Sequence, residues 1–203
     1  TQGVSSAASD VYKRQMHRMC DELRTEYDYE MIDKWIKGET GFPFLDACMK
    51  FLQKNGWINF RMRAMIMSFA SYNMWQPWQK TSPLLAELFT DYEPGIHISQ
   101  VQMQSGVTGI NLPRIYSVPK QSIDQDINAE WTKKLLPQLN DFDPKLIHNA
   151  ELEDLYIPKI VDLKASAKFA RDEIWGIRKS KVFKDEARKV YLKHGSRRKR
   201  NVN

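Results

Sequence analysis

Two arginines two positions apart, Arg61 and Arg63, sit in the stretch "GWINFRMRAMIMSFASYNMW" among methionines, aromatics and small residues. A guanidinium keeps its proton inside a protein, so one pressed into apolar surroundings must meet an anion or reach solvent. On a helix, positions two apart lie about 200° apart around the axis, so Arg61 and Arg63 face nearly opposite ways. An inward Arg63 needs an acid, and the next acidic cluster is Asp91-Tyr92-Glu93. The spacing predicts an Arg63–Asp91 ion pair of bidentate geometry that ties the helix to a loop. Such a pair is either purely structural or the fixed edge of a ligand site. Arg61, outward beside Trp57 and Phe60, joins a phosphate-seeking charge to aromatic surface, as nucleic acid binders do. A surface arginine lying along apolar neighbours gives the same pattern.

The elements that must position these residues read as helices. Leu45, Cys48, Met49 and Leu52 form one stripe, introduced by Pro43 and closed by Asn55-Gly56. From Ile58 the apolar positions run on to Pro77, which cannot extend the helical ladder. Ser82-Pro83 reads as the cap and first-turn proline of a short helix over "LLAELF". From Asp91 to Gln125 no period is sustained; Pro94-Gly95, Gly106, Gly109, Pro113 and Pro119 punctuate a stretch that is functional or contains short helices of its own, and it is the first candidate for ligand contact. Helix resumes in "NAEWTKKLLPQL", Asp162 caps another to about Lys179, and a basic helix ends at Gly195. The expected fold class is all-α.

The 203 residues are 42% hydrophobic, enough for one compact domain or a large piece of one. No run of 18 apolar residues and no export leader appears, so the expectation is a cytoplasmic protein without membrane contact. The net charge of +6 is concentrated: Arg178 to Arg200 holds eleven Lys/Arg against Asp185 and Glu186, and the remainder is net acidic. That segment is either a phosphate-tracking face or a solvated helix and tail. Residues 1–15 read as non-native lead sequence, 16–195 as the domain and 196–203 as a basic disordered tail. Cys20 and Cys48 lack companion ligands and read as buried small hydrophobes. His17, His97, His148 and His194 do not cluster at metal spacing, and neither Walker A, G-x-G-x-x-G nor zincin patterns occur.

Several ordered motifs together carry a resemblance: "GETGFPFLDACMKFLQKNGWINFRMRAMIMSFASYNMW", "DYEPGIHISQVQMQSGVTGIN", "RIYSVPKQS", "LLPQL" and "IPKIVD". The chain resembles the C-terminal, all-helical FAD-binding domain of the DNA photolyase and cryptochrome family, in a bacterial photolyase-like flavour and as a fragment. The resemblance implies a parent with an N-terminal antenna domain, FAD as cofactor, and damaged DNA carrying a pyrimidine dimer as partner. It implies blue-light-driven repair, or a cryptochrome-like photoreceptor role; a non-enzymatic helical DNA-binding module is the reading outside the family.

By position, Trp57 is similar to the tryptophan packed beside the flavin, and Arg63 with Asp91 to the pair that frames it. Asp91, Tyr92 and Glu93 fall at the turn touching the flavin edge, and His97 at the residue facing flavin N5. Arg61 is similar to the arginine on the DNA backbone beside the lesion, with Phe60 next to it where the family usually carries Asn, and Ala64 where Met is common. Trp78 falls on the middle member of the tryptophan electron-transfer chain, while Val101 replaces the flavin-proximal member and the distal position lands near Thr25. Trp75, Tyr72 and Tyr92 are candidate substitutes. The family's phosphate loop and dimer-holding helix precede the part of the domain seen here.

Overall fold

The computed structural model describes residues 17–109, 111–152 and 156–194, and among them every regular element is helical. The lead 1–15 and tail 196–203 lie outside the described residues. In chain order the helices are α1 (Arg18–Asp21), α2 (Tyr29–Lys37), α3 (Pro43–Asn55), α4 (Phe60–Ser68), α5 (Trp78–Leu88) and α6 (Pro94–Ser105). They continue as α7 (Val118–Gln125), α8 (Glu130–Leu135), α9 (Pro144–Asn149), α10 (Leu163–Arg178) and α11 (Lys181–His194).

The α3 helix is the hub: every residue from Pro43 to Met49 is buried, as is Leu52. Pro43 opens it and Gly56, at φ 68°, ends it in the left-handed turn that glycine tolerates best. Phe44, Leu45, Cys48, Met49 and Leu52 are fully buried, and α2, α4, α7, α8 and α9 pack around them. Cys20 and Cys48 are both buried; burial pushes the Cys20 thiol up to about 11.

One buried carboxylate fastens the start of α3. Asp46 accepts hydrogen bonds from Thr40 N (2.8 Å), Thr40 Oγ1 (2.6 Å), Gly41 N (3.1 Å) and the Tyr156 hydroxyl (2.9 Å). Burial raises its pKa, and these four donors pull it back. The group thus joins the turn before α3 to a segment 110 residues later.

Two sequence expectations need correction. The apolar run after Ile58 is not one regular helix: after Ser68 it widens into a π-helical turn, Phe69–Asn73, where Met74 N donates to Phe69 O (3.0 Å). The extra residue rotates the following side chains and ends with Trp75 at φ 56°, a costly conformation for an aromatic residue. The next helix starts at Trp78 rather than after Ser82, leaving Pro83 inside it. Pro77 already supplies the break, and Pro83 sits far enough in to deny the Gln79 carbonyl its usual partner.

The aperiodic stretch contains the twelve-residue α6, capped by Glu93 through Ile96 N (2.7 Å), opened by Pro94 and closed by Gly106 at φ 72°. Its buried face carries Gly95, Gln102, Gln104 and Ser105 alongside Val101, so no apolar stripe betrays it. Ser117 likewise caps α7, and Asp162 caps α10 as expected.

Gly41, at φ 83°, lies under the Pro158–Lys159 backbone, and an added Cβ would come 2.6 Å from Lys159 Cα. Gly41→Ala is expected to destabilise the fold by about 3 kcal/mol, the sum of left-handed strain and overpacking against a backbone that cannot swing away. Urea denaturation measures it.

Candidate functional site

Two turns laid side by side build the rim of a cleft. The turn after α3 and the turn after α5 are stitched by Thr90 N and Thr90 Oγ1, both donating to Gly56 O (3.0 and 3.2 Å). An added Cβ on Gly56 would meet Thr90 Cγ2 at 2.3 Å, so the approach needs glycine. Arg63 completes the join. Its Nε donates to Ile58 O (2.8 Å), its Nη2 reaches both Asp91 oxygens (3.1 and 2.9 Å), and its guanidinium lies over Phe89 at 4.1 Å.

The expected Arg63–Asp91 pair is therefore present, with a different character. One nitrogen spans both carboxylate oxygens, instead of two parallel bonds, and the side chains are 28% and 48% exposed. At that exposure the pair is worth about 0–1 kcal/mol to stability. Its weight is geometric: it sets where Asp91, Tyr92 and Glu93 stand.

Behind the rim lies a cleft of about 330 Å³, walled by α4, α5 and α6. Trp57, Phe60 and Tyr92 stand half exposed at its mouth, while Ala64, Met67, Leu85 and Val101 are buried in its wall. His97 enters from α6 with its ring 5.3 Å from that of Tyr92 and 6.0 Å from that of Phe89. Its Nε2 lies 3.1 Å from Ser82 Oγ and 3.2 Å from Ser82 O. Burial, followed by the nearby charge of Arg63, holds the imidazole below its ordinary value of 6.5, while the Ser82 bond opposes the shift.

The structure thus brings Trp57, Phe60, Arg63, Asp91, Tyr92, Glu93 and His97 to one cleft. Arg61 does not line it. It stands exposed on the outer face of α4, opposite Arg63 as the helical spacing requires. Trp78 also stays outside: its indole N–H donates to Asp21 (3.0 Å), and it shares a shallow groove with Ser82 and Tyr92. Trp75 and Tyr72 lie under the guanidinium of buried Arg24, at 4.4 and 5.3 Å, and its charge opposes removing an electron from either ring. Thr25 is exposed and Val101 buried at the cleft wall. Sequence reasoning missed Phe89, hidden as one more apolar residue of "LLAELF", and Ser82, read as a helix cap.

The cleft suits the ring end of a flavin better than its phosphates. Arg63 is the one cation among its lining residues and is already engaged by Asp91. Its volume is at the low end of the roughly 300–1,000 Å³ that ligand pockets span. A buried acceptor in its wall, Gln100 Oε1, has no hydrogen-bond partner among the described residues.

The family described as the FAD-binding domain of DNA photolyase matches residues 2–176. The chain belongs to that family. Its cofactor, FAD, is the one the family's domain binds. Among curated relatives, a deoxyribodipyrimidine photo-lyase of Alkalihalophilus pseudofirmus is 29% identical over 141 residues, covering 68% of this chain and 29% of that protein. A cryptochrome DASH of Solanum lycopersicum is 31% identical over 140 residues, covering 68% of this chain and 24% of that protein. The chain thus spans less than a third of these relatives.

The crystal structure of an archaeal photolyase from Sulfolobus tokodaii with two FAD molecules superposes with a TM-score of 0.75 at 24% identity, over 82% of this chain and 40% of that one. A class III photolyase from Agrobacterium tumefaciens gives 0.72 at 21%, over 84% and 39%. At these identities the likeness establishes the photolyase helical fold. Among the described residues no helix is long and apolar enough to cross a membrane.

The lowered His97 pKa has a signed consequence. Above pH 6.5 the ring is neutral folded or unfolded; below it the unfolded chain takes the proton first, so stability falls as pH drops through that window and levels off below the folded pKa. Against a His97→Gln variant, the gap in urea midpoint is expected to be constant above about pH 7 and to shrink towards about pH 5. A gap that widens on acidification contradicts the assignment.

Proposed function

We propose that this photolyase-family chain is part of an FAD-dependent, blue-light-driven DNA repair protein acting on pyrimidine dimers. The observation that carries the reading is the rim: the Arg63–Asp91 clasp shapes an aromatic-walled cleft with Phe60 exposed at its mouth, and Arg61 stands exposed on the outer face of the same helix. When bound, excited reduced FAD supplies the electron that splits the dimer. The chain's own residues bind and exclude. Arg63 and Asp91 fix the turn that meets the flavin edge, Trp57, Phe60 and Phe89 shed water from the ring, and Arg61 takes a phosphate of the DNA beside the lesion. The remaining pocket, including the flavin phosphate site, and an antenna domain belong to the rest of a longer, bacterial photolyase-like protein.

A cryptochrome-like photoreceptor is the second reading, favoured by Phe60, Ala64, His97 and Val101 standing around the cleft where dimer repair calls for other side chains. A lesion-blind DNA-binding module built on α11 is the third, and salt-steep binding that survives removal of flavin would mark it.

Illuminating the full-length protein with a dimer-containing oligonucleotide under reducing conditions decides between them. Loss of dimers is expected. Light-driven absorbance changes with every dimer intact would instead support the photoreceptor. In the same protein, Arg61→Ala is expected to weaken DNA binding across sequences and to reduce the salt slope of log K by about one. An unchanged slope removes Arg61 from the interface.

A further inference from the structure

We infer that the groove between the start of α7 and α10 is a second ligand site, and that it takes a nucleoside phosphate, a flat aromatic base carrying an anionic group.

The groove holds about 590 Å³, within the range of ligand pockets, and it shares no lining residue with the cleft. Both walls are held in place by the fold. The segment before α7 is pinned by buried Ser68, whose hydroxyl accepts from Tyr116 N (3.0 Å) and donates to Arg114 O (3.3 Å). The opposite wall is one face of α10, where Arg171 and Trp175 stand four residues apart and are therefore neighbours on the helix surface. Ile115 and Ile174 add apolar lining.

Charge selects the sign of the ligand. Arg114, Lys120 and Arg171 line the groove, and no acidic residue does. None of these three side chains has a hydrogen bond or an ion pair among the described residues. Asp172 and Glu173 follow Arg171 along α10 but stay out of the lining. Three like charges around one hollow repel each other, and an anion set among them replaces that repulsion with attraction. The amino end of α7 is already capped, since Ser117 Oγ accepts from Lys120 N (3.4 Å), so the anion's partners are the side chains. Arginine forks match phosphate oxygens in pairs.

The aromatic residues select what carries the charge. Tyr116 and Trp175 both line the groove; Trp175 is 46% exposed, and its one ring contact among the described residues is the Arg178 guanidinium at 5.5 Å. A nucleobase stacks on such a ring whatever its sequence identity. Gln121 also lines the groove and is 7% exposed, with Oε1 lacking a hydrogen-bond partner among the described residues. A bare inorganic anion or an acidic peptide would answer the cations and leave the rings uncovered. A nucleotide answers both. The inference stands independently of the flavin reading, because the groove and the cleft have no residue in common.

Isothermal titration calorimetry on the full-length, flavin-free protein tests it with adenosine monophosphate, adenosine and inorganic phosphate as probes. The monophosphate is expected to bind with a Kd of about 1 mM or below, and adenosine and phosphate each about tenfold more weakly or worse. Arg171→Gln and Trp175→Ala, both at exposed positions, are each expected to weaken the monophosphate about fivefold or more while leaving the urea midpoint unchanged. Binding that neither variant changes lies elsewhere and overturns the inference. So does binding that disappears once FAD is loaded, because the monophosphate then occupies the cofactor's site. Phosphate held as tightly as the monophosphate overturns the choice of an aromatic ligand. A dimer-free oligonucleotide that depends on Arg171 and Trp175 while the monophosphate fails to bind makes the groove a nucleic acid track, and it too overturns the inference.

Discussion

A single guanidinium holds the cleft in shape. Arg63 draws together the carbonyl of Ile58, the carboxylate of Asp91 and the face of Phe89, and these belong to two turns more than thirty residues apart in sequence. Beside it, Thr90 hangs on the carbonyl of Gly56. Remove the cation and the turns keep those two bonds, but the acidic turn loses what aims it. Because the ion pair is half exposed, its contribution to folding is small. Its effect is on the placement of groups that a ligand would meet.

That placement gives the cleft a polarity. One wall offers a cation already satisfied by a carboxylate; the other carries Gln100 Oε1, a buried acceptor with no hydrogen-bond partner among the described residues, and His97, whose Nε2 lies 3.2 Å from Ser82 O. Aromatic and aliphatic side chains fill the space between. A flat, largely apolar ring with donors along one edge fits such walls, whereas a pyrophosphate finds no free cation in them.

Much of this was legible in sequence where one residue type had one physical use. Pro43 and Gly56 bracket α3, Asp162 caps α10, and the spacing of Arg61 and Arg63 put them on opposite faces. The misreadings share a cause. α6 buries glutamines and a serine, so a method that looks for apolar periodicity passed over it, although Glu93, Pro94 and Gly106 marked both ends. Ser82-Pro83 looked like a helix start because its local chemistry is that of a start; only the buried surroundings show the serine turned to His97 instead. The π turn at Phe69–Asn73 had no signal, since one extra residue per turn changes no composition. That turn lies between the cleft-lining part of α4 and Trp75, whose indole packs on Phe169 and Arg24 rather than in the cleft.

The central claim is that Arg63 and Asp91 act on the cofactor as one unit. A double-mutant cycle on FAD affinity in the full-length protein, with Arg63→Met, Asp91→Asn and the pair, measures this most directly. The account predicts that each single change weakens binding and that the double variant is little worse than either alone, a coupling of about 1 kcal/mol or more. Single effects that simply add, or a loss from Arg63 with none from Asp91, would contradict it.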